Sequence, residues 1–334
     1  NSFYDDHTEL FSSLSPAAGS INLRKALAKY LSETRALNVN AENLLITRGA
    51  QMAIYLTATL LLKNGDTVIV GEPSYTFANR IFEQAGAKLI GIPVDKDGID
   101  TDAIEKYCQK KAPKLIYIIP HHHHPTTVTL SAARRMKLLL LIQKHNFYLI
   151  EDDYDYEFHY THKPILPLAS AGQTGHVIYI GSITKNLSPS IRVGYMIASQ
   201  DIIDKAAEHK KLIDIKGDVL LENALATLYG NGTMQRHINK SLKLYKERRD
   251  KLCDLLQEEL GSKISFKIPD GGMAVWVQFN KKYSLPKIAA LAATKGLWMS
   301  DGLFYNSGNT NYNALRMGFA SLNEKEMKAI IGII

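Results

Sequence analysis

Between residues 43 and 199, short apolar runs alternate with longer segments of amphipathic spacing. The runs are NLLIT (43–47), DTVIV (66–70), KLIGIPV (88–94), KLIYIIP (114–120), NFYLIED (146–152), HVIYIG (176–181) and IRVGYMIA (191–198). Most are apolar throughout, as strands buried on both faces require, and the segments between them are long enough for crossover helices. The pattern predicts an α/β fold: a mostly parallel sheet with helices on both faces. From about 205 to 260 the spacing is helical. KISFKIPDGGMAVWVQF (263–279) then alternates and breaks at Asp270-Gly271-Gly272, a strand–turn–strand signal. With GLWMS, NALRMGFA and a last helix from Asn323, it predicts a smaller C-terminal α+β domain. The expected division is 1–245, with an arm over 1–20, and 246–334.

Composition narrows the class without fixing the function. The chain has 334 residues, 46% hydrophobic and 22% charged, and no apolar run approaches the roughly 20 residues of a membrane helix. Its two cysteines, Cys108 and Cys253, form neither a disulfide framework nor a metal-type spacing, which fits a reducing cytoplasm. The formal charge of +7 is scattered through amphipathic segments such as SLKLYKERRDKL (241–252), which read as solvated helix faces rather than a nucleic-acid stripe. The chain opens on NSFYDD without Met and stops in IIGII, so the expectation is a piece of a longer protein.

In an open α/β sheet, ligands sit beyond the carboxyl ends of the strands. Those ends are TRGAQ (47–51), GEPSYTF (71–77), PHHHHPTT (120–127), EDDYDYEF (151–158) and GSITK (181–185). Asp152 and Tyr154 share one face of their strand, where a carboxylate and a phenol could hold a flat heteroaromatic ring by its nitrogen and an oxygen. Taken alone, that segment reads first as an acidic loop with its carboxylates in water. Gly49 sits where a strand becomes a helix, so the N–H groups of Ala50 and Gln51 would offer an anion site, to which Ser182 adds a hydroxyl and Arg192 a forked pair of donors. An ordinary glycine turn and an arginine snorkelling from a strand are the plainer alternatives. Lys185, near cations and partly desolvated, can attack an aldehyde to form a Schiff base. An aldehyde on a pyridine ring with a phenolic oxygen and a phosphate arm is pyridoxal phosphate. Asp152 would keep its nitrogen protonated, Tyr154 would bond the phenolic oxygen and Tyr75 would stack on the ring.

The spread of GAQ, EPSY, EDDYD, SITK with Arg192 seven residues on, and LRMGFA resembles the fold-type I aminotransferases over nearly the whole chain. IIPHHHHPTT, LIEDDYDYEFHY and SPSIRVGYM look most like the MocR-type branch of GntR regulators. In that branch a winged helix-turn-helix domain is joined to an aminotransferase-like domain. The resemblance implies Lys185 as the Schiff-base residue, the cofactor roles above, and Arg316 as the anchor for a substrate or effector carboxylate, against a surface ion pair as the plainer alternative. It also implies a homodimer, an amino-compound effector, and DNA contact only through a domain outside this chain.

Three positions depart from that pattern. Leu14 stands where many relatives carry a tyrosine that reaches the partner's phosphate. Phe77 stands where members sensing a γ-amino acid carry arginine, which argues against that effector. His124 precedes Pro125-Thr126-Thr127 where aminotransferases often have asparagine before Pro-Thr-Gly, and which of His121–His124 meets the cofactor is open. As a metal site the tetrad offers two ligands per face and no third, and none is expected. Two functions stay in play: a cofactor-binding effector and dimerisation domain of a regulator, or a catalytic aminotransferase in which Lys185 also moves the α-proton. A degenerate scaffold, motivated by Leu14, is opposed by the intact Asp152, Tyr154, Lys185 and Arg192.

Overall fold

The computed structural model describes residues 17–160, 165–171, 175–306 and 310–334, so Leu14 and most of the expected arm lie outside the described residues. Helix α1 (Ile21–Arg35) leads into β1 (Leu44–Thr47), α2 (Ala50–Leu61), β2 (Thr67–Glu72), α3 (Thr76–Gln84) and β3 (Lys88–Asp95). The hairpin strand β4 (Gly98–Ile99) and α4 (Thr101–Lys110) follow, then β5 (Leu115–Ile118), α5 (Ala132–His145), β6 (Tyr148–Asp153), β7 (Val177–Ser182) and β8 (Gly194–Ile197). These strands form one sheet in the order β1-β8-β7-β6-β5-β2-β3-β4. The run from β3 through β2, β5 and β6 to β7 is parallel, whereas β8 is antiparallel to both of its neighbours. The reversal has a simple cause: the connection from β7 to β8 is too short for a crossover helix. It folds back as the loop that carries Lys185.

Continuous apolar runs are needed because both faces are covered. Val68 and Val70 pack with Ala53, Ile54 and Phe82 on the side of α2 and α3, while Ile69 between them packs with Ile104 and Leu138 on the side of α4 and α5. The same alternation puts Tyr117, Ile150 and Ile180 on the α2 face. That face continues into the polar strand ends.

Beyond the sheet come α6 (Gln200–Ile213), α7 (Val219–Gly230) and the 28-residue α8 (Thr233–Leu260). A second sheet, ordered β11-β10-β9, is built from β9 (Ile264–Phe266), β10 (Ala274–Phe279) and β11 (Ala314–Gly318), flanked by α9 (Leu285–Thr294) and α10 (Glu324–Ile333). Asn323 and Glu326 close a capping box at the start of α10. Residue 245 falls inside α8, whose Met234 and Ile238 pack with α1 while Leu252, Leu256 and Leu260 enter the core under the second sheet. The segment after β6 stitches the two parts together. Phe158 is fully buried in the second core, and the Tyr160 and Gly272 amides donate to Asp270 and Phe158 carbonyls at 2.9 and 2.7 Å. Arg249, in the stretch expected to be a solvated face, is buried: it donates to the Pro269 carbonyl at 2.8 Å and covers the Tyr160 ring at 4.9 Å. Those buried partners take it out of solvent.

Candidate functional site

A cavity of about 510 Å3 opens over the ends of β5, β6 and β7, within the range of small-molecule sites. Lys185, Asp152, Tyr154, Ser182 and Arg192 all line it. So do Ala50, Gln51, Tyr75 and Arg316, which completes the set of residues singled out in the sequence. The elements explain the convergence. Strand alternation puts Asp152 and Ser182 on the same face as Ile150 and Ile180, and α2 starts beside them.

The start of α2 forms a cradle. Gly49 has φ +76°, and a Cβ there would sit 3.2 Å from an Arg192 guanidinium nitrogen. Arg192 is itself left-handed at φ 50°, a conformation that costs a non-glycine residue roughly 1–2 kcal/mol. It does not snorkel from a strand; it precedes β8 and lies over Gly49. Gly194 lets the strand approach: a Cβ there would stand 2.6 Å from the Gly49 carbonyl carbon and 3.0 Å from the Ala50 nitrogen. Free N–H groups, a helix dipole and a guanidinium meet here, which is the donor set of an anion site.

At the other end of the cleft, the acids on and just after β6 are not in water, contrary to the reading of that segment by itself. Glu151, Asp152, Asp153 and Asp155 are all at most 2% exposed. Each is bound differently. Glu151 accepts the Leu168 and Ala169 amides at 2.8 and 2.9 Å, and Asp153 accepts from His121 Nδ1 and the Tyr179 hydroxyl at 2.7 Å each. Asp155 pairs with His122 Nδ1 at 2.8 Å. Asp152 accepts from the Tyr117 hydroxyl at 2.8 Å through one oxygen only; its Oδ1 is buried with no partner. Burial pushes the Asp152 carboxyl up to about 7, with Tyr117 pulling it down and Asp153 and Asp155 pushing it further up. The neighbouring Asp153 is held well below the carboxylate range by His121, Arg35 and Tyr179 against the effect of burial.

Lys185 reaches into the cleft from the β7–β8 loop and remains accessible to solvent. The protein around it lowers its affinity for a proton, Arg316 and Arg192 lower it further, and Asp155 opposes them. Arg316 rises from β11 opposite Trp276, donates to the Tyr154 hydroxyl at 3.4 Å and has a buried Nε without a partner. It makes no ion pair among the described residues, so the surface-pair alternative does not describe it. Tyr154 in turn donates to the His122 carbonyl at 3.3 Å.

The histidine tetrad lies in the irregular segment after β5, and its rings do not share one environment. His121 and His122 turn to the buried carboxylates, His123 Nε2 meets the Pro73 carbonyl at 2.8 Å, and only His124 lines the cavity. Burial, Arg316, His123 and Lys185 bring its pKa down to about 2, so its ring is neutral. Reading the sequence missed Tyr117 and the Arg35 network. Arg35 is fully buried at the end of α1 and donates to the hydroxyls of Tyr195, at 2.9 Å, and Tyr179, and to Glu157. Nothing in local spacing marks either residue; only the parallel register of β5 and β6 brings Tyr117 to Asp152.

Comparison with known proteins agrees with this geometry. The family model "aminotransferase class I and II" matches residues 6–334. The HTH-type transcriptional regulator YdfD of Bacillus subtilis is 31% identical over 95% of this chain and 66% of its own length. The probable rhizopine catabolism regulatory protein MocR of Rhizobium meliloti is 27% identical over 93% of this chain and 62% of its own. Among solved structures, the kynurenine aminotransferase of Pyrococcus horikoshii, in complex with PMP, superposes with a TM-score of 0.90 at 27% identity, covering 99% of this chain and 83% of that one. The chain thus spans about two thirds of the length of these regulators.

Proposed function

The chain belongs to the class I and II aminotransferase family, and from that premise we propose that it is the pyridoxal-phosphate-binding effector and dimerisation domain of a MocR-type transcription regulator. The observation that carries the reading is the unpartnered, buried Oδ1 of Asp152 in a cavity that also holds Lys185 and an anion cradle. These features fit the cofactor group by group. Asp152 would hold the pyridine nitrogen, Tyr154 the phenolic oxygen, and Ala50, Gln51, Ser182 and Arg192 the phosphate, with Tyr75 against the ring. Lys185 Nζ would bind the aldehyde carbon, and Arg316 would take the carboxylate of an amino-compound effector. When bound, the cofactor acts as an electron sink for the carbon bearing an amine. Within the protein, burial lets Asp152 keep a proton at one end of the cleft, while desolvation first, and Arg316 and Arg192 after it, make Lys185 readier to lose its own.

The regulator reading draws on YdfD, an HTH-type transcriptional regulator, and on the regulatory protein MocR, and on this reading DNA contact falls to a helix-turn-helix domain outside this chain. A homodimer and a cytoplasmic location belong to the same reading, as do a large domain over 1–245 and a small one over 246–334. No helix among the described residues is long and apolar enough to cross a membrane. A catalytic aminotransferase acting on an amino acid and a 2-keto acid is the second reading, favoured by the structural likeness to the kynurenine enzyme. Two experiments test the cofactor site and then separate the readings. Borohydride reduction of cofactor-loaded protein, followed by peptide mapping, should label Lys185, and Lys185→Ala should lose both label and yellow colour; an unlabelled Lys185 refutes the assignment. The same loaded protein mixed with an amino acid and a keto acid should show no sustained turnover if it is a sensor.

A further inference from the structure

Five aromatic rings close a circuit that starts in the cavity wall and runs outward from it. Tyr75 and His124, both in its wall, pack edge to face at 5.1 Å between centroids. From Tyr75 the contacts run to Phe77 at 5.8 Å, on to Phe304 at 6.1 Å, to Tyr305 at 5.7 Å, and back to His124 at 6.1 Å. Tyr305 is also braced by Trp276 at 5.0 Å. Two members come from the start of α3, one follows β5, and two lie between α9 and β11, so the circuit joins the two sheets' halves across the cleft. Its outer members are left bare, Phe77 at 47% and Phe304 at 41% exposed.

Charge narrows what such a circuit receives. The cavity wall holds three cations, Lys185, Arg192 and Arg316, each with a place in the function proposed above, and one acid, Asp152. No further charge lines it among the described residues; beyond the wall, the Arg80 guanidinium lies over the Phe77 ring at 5.9 Å. A ligand side chain leaving the Lys185–Arg316 region therefore meets Tyr75 and His124 in the wall, with Phe77, Phe304 and Tyr305 packed behind them. Ring edges and faces select another ring.

We propose that the circuit of Tyr75, Phe77, His124, Tyr305 and Phe304 is the side-chain subsite for an amino acid bearing an aromatic group, which this protein takes in preference to acidic or small amino acids. The proposal rests on the cofactor reading, and its test uses ligands that need no covalent chemistry. Reduced conjugates of the cofactor with L-phenylalanine, L-aspartate and L-alanine are titrated into the protein by calorimetry, with pyridoxamine phosphate as the reference. The phenylalanine conjugate should bind at least about tenfold more tightly than the other two. Phe304→Ala and Phe77→Ala, both at half-exposed positions, should each erase most of that preference and leave pyridoxamine phosphate binding unchanged. Equal affinity for the three conjugates overturns the subsite, as does a preference that survives both replacements. If pyridoxamine phosphate itself does not bind, the cofactor reading has failed and the subsite falls with it.

Discussion

Asp152→Asn should make the cofactor-free protein more stable at neutral and alkaline pH while weakening its hold on pyridoxal phosphate. The native carboxyl is pushed from 3.8 up to about 7 by burial. Between those values the folded protein keeps a proton that the unfolded chain has released, so stability falls as pH rises, and the loss is complete above about 7. At 1.36 kcal/mol per pH unit, that interval corresponds to a cost of about 4 kcal/mol for the ionised form. Asparagine carries no charge to desolvate and can still accept from Tyr117. With an unfolding entropy of about 2.1 cal/mol/K per residue over 334 residues, 4 kcal/mol moves the melting midpoint by about 6 °C. Calorimetry of cofactor-stripped protein at pH 5 and pH 8.5 measures this: the variant should exceed the wild type by several degrees at pH 8.5 and by much less at pH 5. A difference that is the same at both pH values would refute the buried-carboxylate reasoning. The loaded proteins should rank the other way, because only the wild type offers a carboxylate to a ring nitrogen.

Two further outcomes follow from the contacts around the site. Gly194→Ala would push a methyl group into the Gly49 carbonyl carbon at 2.6 Å, so cofactor affinity in an absorbance titration should drop about tenfold or more, with about 1–3 kcal/mol lost in urea unfolding. Unchanged affinity would mean that the α2 cradle does not hold the phosphate. Arg35→Met leaves Glu157 buried without its cation, and urea denaturation should register a loss of about 3–5 kcal/mol, with the visible spectrum of the loaded protein unaltered.

The main sheet was legible because its strands are apolar on both faces, and the cavity was legible because its polar residues gather at strand ends where such sheets bind ligands. Local order carried that information. What it did not carry lies between segments far apart in the chain. The reversed β8 depends on a short connection, not on the composition of IRVGYMIA. The burial of Asp153 and Asp155 depends on two histidines about thirty residues earlier, and Tyr117 reaches Asp152 only through strand register. The tetrad shows the limit most directly. Four identical letters distinguish nothing in sequence, yet the irregular segment that follows β5 carries three of them to buried partners and one, His124, into the cleft.

Helix α8 runs for 28 residues without a glycine or proline, about 42 Å of unbroken rod. One end is embedded under the parallel sheet, the other under the small one, and Tyr245 near its midpoint forms part of the cavity wall. With no glycine or proline along its length, the rod offers no ready break point between the two cores it joins. Pressure on Tyr245 is thus leverage on a shaft anchored at both ends.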